Sequence, residues 1–262
     1  MESAPFLVSG RLRYEKDNPM NKITRTAFML MCLLMACTTG CSQQTIHEAV
    51  KQEKLADVKQ YLQKGVAVDA RDKDGYTPLI LAAAKGQLDI INFLIANGAD
   101  VNVRQKGGGT PLMWAASKGH LDVVKVLIFN EADVKARNNN CMTPLLLAAH
   151  YGHLEVVKFL VGADANIYAK DFVGKTPLME AAMMGKLEVV KFLVGAGADI
   201  KADHGMTPLA EAAIMGQLEV VKFLVGVGAD VNANEGATPL SLAAANNKQD
   251  VVEFLKQHGA KE

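Results

Sequence analysis

The sequence predicts an all-α solenoid of helix-turn-helix repeats that are joined by β-turn fingers. The first observation is that the tripeptide Thr-Pro-Leu recurs with spacings of 33, 33, 33, 31 and 31 residues. A fixed period of this length is typical of stacked supersecondary units. The second observation is that apolar residues follow each tripeptide at helical spacing and stop at a glycine. The six copies begin at Thr77, Thr110, Thr143, Thr176, Thr207 and Thr238.

Every copy predicts the same order of elements. Threonine suits the amino-terminal cap of a first helix, helix A, and proline suits its first position, where a backbone N–H would have no helical partner. Helix A stops at a glycine such as Gly86 or Gly119, a residue that readily adopts the left-handed conformation that ends helices. Helix B follows, for example at 187–194, and a finger rich in Asp, Asn and Gly then leads to the next threonine.

At this level of detail the repeats resemble the ankyrin repeat, whose signature is Thr-Pro-Leu-His-x-Ala with a Gly-Ala-Asp-Val-Asn ending. Segments 98–102 and 228–232 carry that ending in full, whereas His47 alone retains the signature histidine. Counting backwards in phase places a further repeat, without proline, near Thr45. The resemblance therefore implies seven ankyrin repeats in a domain spanning 42–262, and the polar first and last copies are expected to act as caps.

Residues 1–41 have a different character. The ten apolar residues 27–36 follow Lys22 and Arg25 and are followed by small residues. This order is typical of a secretory signal, and the apolar run is too short for a membrane-spanning helix, which needs about 20 residues. A start at Met20 gives a signal of the expected length. We therefore interpret 1–19 as an upstream leader and 20–41 as the signal peptide.

The signal ends in two cysteines and resembles the lipobox of bacterial lipoproteins, in which a cysteine is acylated and becomes the mature amino terminus. Cys41 follows a glycine and precedes Ser-Gln-Gln, which suits a polar tether, and it is the favoured lipidation site. Cys37 is the alternative because Leu34 is better placed for it, and cleavage without lipid is a further alternative. The resemblance implies a chain lipid-anchored at a bacterial cell envelope, facing the periplasm or the exterior, with a secreted protein as the alternative.

The charges argue against a nucleic-acid partner. The 28 Lys and Arg residues balance 28 Asp and Glu residues, whereas binding to phosphates needs a basic excess. Lysines also recur on helix B, but each follows an acidic residue by three positions, as expected for i,i+3 pairs on a solvated face. These pairs are Asp122–Lys125, Glu155–Lys158, Glu188–Lys191 and Glu219–Lys222.

The residues that could carry chemistry are scattered, so we predict no enzyme, metal or cofactor. His120 and His153 each lie alone in a turn between helices A and B, where ankyrin repeats place a structural histidine. Cys141 lies on a finger with no nucleophile–base pair beside it, and a redox or enzymatic role for this thiol is kept as an alternative. The Gly107–Gly109 run lies on another finger and is expected to relieve a tight turn.

The resemblance to ankyrin proteins implies that a protein partner binds a monomeric chain at the finger tips and the concave face of helix A; a secreted effector acting on a host protein is the alternative. Tyr151, Met184 and Met215 each stand directly before the glycine that ends helix A in three adjacent repeats, and they are the predicted anchors of an apolar patch. Met183 and Ile214 either extend this patch or fill gaps between helices. The full predicted partner-binding set adds Trp114 and an acidic rim formed by Glu180 and Glu211.

Two departures from the repeat pattern predict local backbone strain. Glu131 and Asp164 stand where other repeats have the glycine that ends helix B. That position is expected to have a positive φ, which is unfavourable for residues with a β-carbon and more so for Glu than for Asp.

Overall fold

The computed structural model describes residues 45–201, 206–233 and 237–261. The chain divides into a unit of residues 1–44 and a unit of residues 45–262. The predicted leader, the signal peptide and both candidate lipidation cysteines lie outside the described residues. Within the described part, no helix is long and apolar enough to cross a membrane.

The described residues of the second unit form fourteen helices in seven A–B pairs, which confirms the predicted all-α class and the seven repeats. The A helices are α1 (Ile46–Lys51), α3 (Pro78–Lys85), α5 (Pro111–Lys118), α7 (Pro144–Tyr151), α9 (Pro177–Met183), α11 (Pro208–Met215) and α13 (Pro239–Ala245). The B helices are α2 (Leu55–Gln63), α4 (Leu88–Ala96), α6 (Leu121–Phe129), α8 (Leu154–Gly162), α10 (Leu187–Gly195), α12 (Leu218–Gly226) and α14 (Gln249–Gln257).

Helix A begins and ends at the residues that the sequence predicts. The Thr110 hydroxyl accepts a hydrogen bond from the Met113 N–H at 3.3 Å, so it satisfies one of the backbone donors exposed at the start of α5. At the other end of α5, Gly119 adopts the left-handed conformation with φ 76°. The equivalent residues of α3 and α7 act in the same way.

The core lies between the two layers of helices. In the third repeat, the leucine of the tripeptide, Leu112, belongs to a buried cluster with the pair Ala115–Ala116 and with Val123 and Val124 of helix B. Adjacent A helices pack together more closely than adjacent B helices do, because small alanines face each other along the A layer. The A helices therefore form the more closely packed layer, called the inner face below, and the B helices form the outer layer.

Polar side chains also join neighbouring repeats. The His120 imidazole lies 3.2 Å from the Ala84 carbonyl, and that of His153 lies 3.0 Å from the Ser117 carbonyl. Each histidine thus bonds to helix A of the preceding repeat, which confirms the predicted structural role. The fingers are joined similarly, since the guanidinium of Arg71 donates to the Arg104 carbonyl, and Arg104 donates to the Arg137 carbonyl, both at 2.6 Å.

Five described residues with a β-carbon lie in the left-handed region: Glu53, Glu131, Cys141, Asp164 and Asn247. Glu131 and Asp164 both have φ 66°, as predicted. Cys141 has φ 58°, which was not predicted from the sequence. Its counterparts at the same finger position, Gly75, Gly108 and Gly174, are left-handed glycines, so Cys141 occupies a position that favours glycine.

Candidate functional site

The predicted anchor residues reach the surface to different extents. Tyr151, at the carboxyl end of α7, is 51% exposed, and Met215, at the end of α11, is 46% exposed. Met183, Met184 and Ile214 are half-buried, so part of each residue is packed within the repeats and part faces solvent. Their role in partner binding stays a prediction.

Trp114 and Tyr151 come together, although 37 positions separate them in the chain. Both line a cavity of about 150 Å³ between α5, α7 and the two adjoining fingers. The ring of Tyr151 lies edge-on to His150 with 4.8 Å between centroids, and Trp114 tilts against Tyr76 at 5.6 Å. The inner face of the third and fourth repeats is thus aromatic and carries a cavity open to solvent.

The prediction that Glu180 and Glu211 form an acidic rim around the patch is wrong. Glu180 and Glu211 are only 5% and 4% exposed, because each lies in helix A beneath residues of the preceding repeat. A Glu180 carboxylate oxygen lies 2.6 Å from His150 Nδ1, and Lys175 Nζ lies 3.0 Å from a Glu211 oxygen. A carboxylate is stable in a buried position only if it is paired and hydrogen-bonded. The two glutamates therefore join neighbouring repeats within the inner face.

Burial also affects Tyr76, which packs against Trp114. Burial, followed by the negative charges of Asp72 and Asp74, raises the pKa of the Tyr76 phenol. The backbone N–H of Tyr76 donates to Asp72 Oδ1 at 2.8 Å, which holds this carboxylate beside Tyr76. The phenol therefore remains neutral over the physiological pH range.

One finger carries an exposed apolar tip that was not predicted from the sequence. Phe172, in the finger before α9, is 69% exposed, and Val173 and Tyr168 nearby are exposed as well. The backbone N–H of Phe172 donates to the Asn140 carbonyl at 3.1 Å, which fixes the tip against the preceding finger. An alignment of the complete fingers would have revealed it, because the equivalent positions are Lys73, Lys106 and Asn139.

Two further exposed apolar residues lie at the ends of B helices. Phe129 is 88% exposed at the end of α6, where the equivalent residues of α8 and α10 are Gly162 and Gly195. Val227 follows α12 and is also exposed. Both belong to the outer layer of helices, so they offer a comparison with the inner face.

The residues considered for chemistry remain dispersed. No group of three or more His, Cys, Asp or Glu side chains in the described ranges is arranged to hold a metal ion. Cys141 is a half-buried free thiol. The predicted i,i+3 pairs of helix B are confirmed, with Lys158, Lys191 and Lys222 each 2.7 Å from the paired glutamate.

Comparisons with known proteins agree with this architecture. The family model described as Ankyrin repeats (3 copies) matches residues 46–138, 131–204 and 197–262. A stretch of 61 residues is 41% identical to the 26S proteasome non-ATPase regulatory subunit 10 of Dictyostelium discoideum, and it covers 23% of this chain and 26% of that protein. The family model therefore accounts for nearly the whole second unit, and the chain belongs to the ankyrin-repeat family.

Proposed function

We propose that this chain is a non-enzymatic module that binds a protein partner through the inner face of its A helices and through its finger tips. Ankyrin repeats are protein-interaction modules, and the relative named above is called a non-ATPase regulatory subunit. The observation that carries the proposal is the exposure of Tyr151 and Met215 in the same layer as the Trp114–Tyr151 cavity. Aromatic and methionine side chains are enriched in the cores of protein interfaces.

A triple variant tests the inner face. The partner is first captured by the wild-type chain, identified by mass spectrometry and purified. Tyr151→Ser, Met184→Ser and Met215→Ser together should then weaken binding at least a hundredfold, while the circular dichroism and the melting midpoint change little. The reason is that a few buried aromatic and apolar anchors contribute most of the affinity of an interface.

The matched control is the pair Phe129→Ser and Val227→Ser, which removes exposed apolar side chains from the outer layer. It should bind the partner like the wild-type chain. Unchanged affinity of the triple variant would refute binding at the inner face. Unfolding of the triple variant would assign its three side chains to the core, and the single variant Phe172→Ser would then show whether the finger tip holds the partner.

We further propose that the chain is lipid-anchored at a bacterial cell envelope and acts there as a monomer. This proposal is supported by the basic residues Lys22 and Arg25, the apolar run 27–36 and the lipobox-like sequence before Cys41. Cys41→Ala should abolish metabolic labelling with a fatty acid, whereas Cys37→Ala should not. Labelling that is lost only in Cys37→Ala would move the site to Cys37. An unmodified, cleaved amino terminus in the mature chain would refute the anchor and support secretion.

A further inference from the structure

In two repeats the residue directly before the capping threonine reaches towards helix A of the next repeat. Tyr76 packs its ring against Trp114, at a centroid distance of 5.6 Å. In the fifth repeat the equivalent residue is Lys175, whose Nζ lies 3.0 Å from a Glu211 oxygen. Trp114 and Glu211 occupy the same position of helix A. A large side chain therefore covers this part of the inner face in both repeats.

The third repeat has Gly109 at that position, so no side chain extends towards Leu147 on the next helix A. Ser117, which stands where the fifth repeat has Met183, is also small. In the fifth repeat the space is occupied, since Lys175 Nζ lies 3.0 Å from Met183 Sδ. The cavity of about 150 Å³, called the socket below, lies in the corresponding space between Gly109, Ser117 and Leu147.

The backbone of Gly109 does not require glycine. Its φ lies outside the left-handed region, in contrast to that of Gly108 at 77°. The predicted relief of a tight turn therefore applies to Gly108. A β-carbon at residue 109 would instead lie 3.1 Å from both Trp114 Nε1 and Gln105 Nε2. Glycine at this position thus avoids a close approach to the indole nitrogen and to the Gln105 amide.

That indole N–H is a buried donor without an acceptor among the described residues. Gln105 also lines the socket, but its Oε1 accepts the Gly107 N–H. Buried tryptophan N–H groups usually have a hydrogen-bond partner, and a native donor without one calls for an explanation. An acceptor supplied by a bound molecule would satisfy it.

We propose that the socket holds one leucine-sized apolar side chain from an extended segment of the protein partner, and that the flexible Gln105 side chain moves so that a backbone carbonyl beside the leucine accepts the Trp114 Nε1–H. A cavity of about 150 Å³ with apolar walls is large enough for benzene, so a leucine side chain fits. Trp114, Leu147 and Tyr151 line the socket together with the polar residues Gln105, Ser117 and Asn138. This inference rests on the proposed function and names a specificity pocket within the proposed binding face.

The test uses N-acetyl-L-leucinamide, which carries the side chain and carbonyl acceptors, and N-acetylglycinamide, which carries the carbonyls alone. Trp114 is the only tryptophan of the chain, so its indole N–H gives one resonance in a ¹⁵N-correlated NMR spectrum. The leucine compound should shift this resonance saturably, and the glycine compound should bind at least tenfold more weakly. Equal, unsaturated shifts with both compounds would overturn the inference.

Variants locate the binding site. Gly109→Ala puts a methyl group in front of the indole N–H, and Ser117→Met fills the socket from helix A with the residue that the fifth repeat carries. Both should weaken the binding of N-acetyl-L-leucinamide at least tenfold. Gly195→Ala is the matched control, because its added β-carbon meets no atom within 4 Å, and it should bind like the wild-type chain.

If Gly109→Ala does not fold, Ser117→Met decides, since other repeats carry large side chains at that position. Binding of the leucine compound by both variants with wild-type affinity would refute the socket. The socket and the proposed function can fail separately. If the leucine compound leaves the indole resonance unchanged while the triple serine variant loses the partner, the socket is refuted and the binding face stands. If the leucine compound binds but the triple variant keeps the partner, the binding face is refuted.

Discussion

Replacement of Glu131 by glycine should stabilise the protein, because Glu131 is strained by its position. It follows helix α6 and has φ 66°. Gly98, Gly197 and Gly228 occupy the same place after other B helices, with φ of 83°, 90° and 91°. The change would therefore restore the residue type that this backbone conformation favours.

The expected gain is the difference between two opposing terms. A residue with a β-carbon is destabilised by roughly 1–2 kcal/mol in the left-handed conformation. Glycine increases the conformational entropy of the unfolded chain, which offsets about 0.4–1 kcal/mol of that gain. Glu131 takes part in two hydrogen bonds, from its N–H to the Ile128 carbonyl and from Asn102 Nδ2 to its own carbonyl, both at 3.0 Å. Both use its backbone and are retained. Glu131→Gly should thus raise the free energy of unfolding by about 0.5–1 kcal/mol.

Urea denaturation followed by circular dichroism measures this change. With a denaturant slope of about 2 kcal/mol/M, the midpoint should rise by roughly 0.2–0.5 M. Gly98→Ala is the matched control, since its β-carbon would meet no atom within 4 Å and the only cost is the backbone conformation. It should lower the midpoint by a similar amount. A lower midpoint for Glu131→Gly, or an unchanged one for Gly98→Ala, would refute the reasoning.

Three further outcomes follow from the structure. Cys141→Gly should raise the free energy of unfolding by up to about 1 kcal/mol in the same urea assay, because φ 58° favours glycine. His150→Ala should lower it by about 1–3 kcal/mol, since Glu180 loses the partner of its buried carboxylate, and adding Glu180→Gln should recover part of the loss. The hydrogen bond from Lys135 lowers the pKa of Asp164 in the folded protein. The stability that this Lys135–Asp164 pair contributes is therefore present above the unfolded-state pKa of Asp164 and is lost as the pH falls through its folded-state pKa. NMR titration should give a value below 3.8 that rises in Lys135→Met.

The architecture could be predicted from the sequence because its determinants are local. Thr110 caps the N–H of a residue three positions later, and Gly119 ends the same helix. Signals of this kind lie within one repeat, and their periodic recurrence identifies the helix pairs without knowledge of any long-range contact. The strained residues Glu131 and Asp164 were found in the same way, by comparing each repeat with the others.

The inner face was predicted only in part because its contacts join different repeats. Tyr151 and Met215 are exposed as expected, whereas Glu180 is buried against His150, which lies 30 residues earlier. The helical pattern of α9 places Glu180 on the A layer but does not show which side chain of the preceding repeat covers it. Burial at this position depends on the stacking of two repeats.

The same stacking explains how an invariant scaffold can carry a specific surface. The residues that hold the stack together, such as Leu112 and Ala115, recur in the other repeats and are buried. The residue before the capping threonine changes from Tyr76 to Gly109 to Lys175, yet the packing beneath it is the same. The residue at this position therefore decides what lies over the next helix A. Tyr76 places an aromatic ring there, Gly109 leaves the socket, and Lys175 forms an ion pair with a buried glutamate. Specificity in this chain can thus vary from repeat to repeat without a change in the core that supports it.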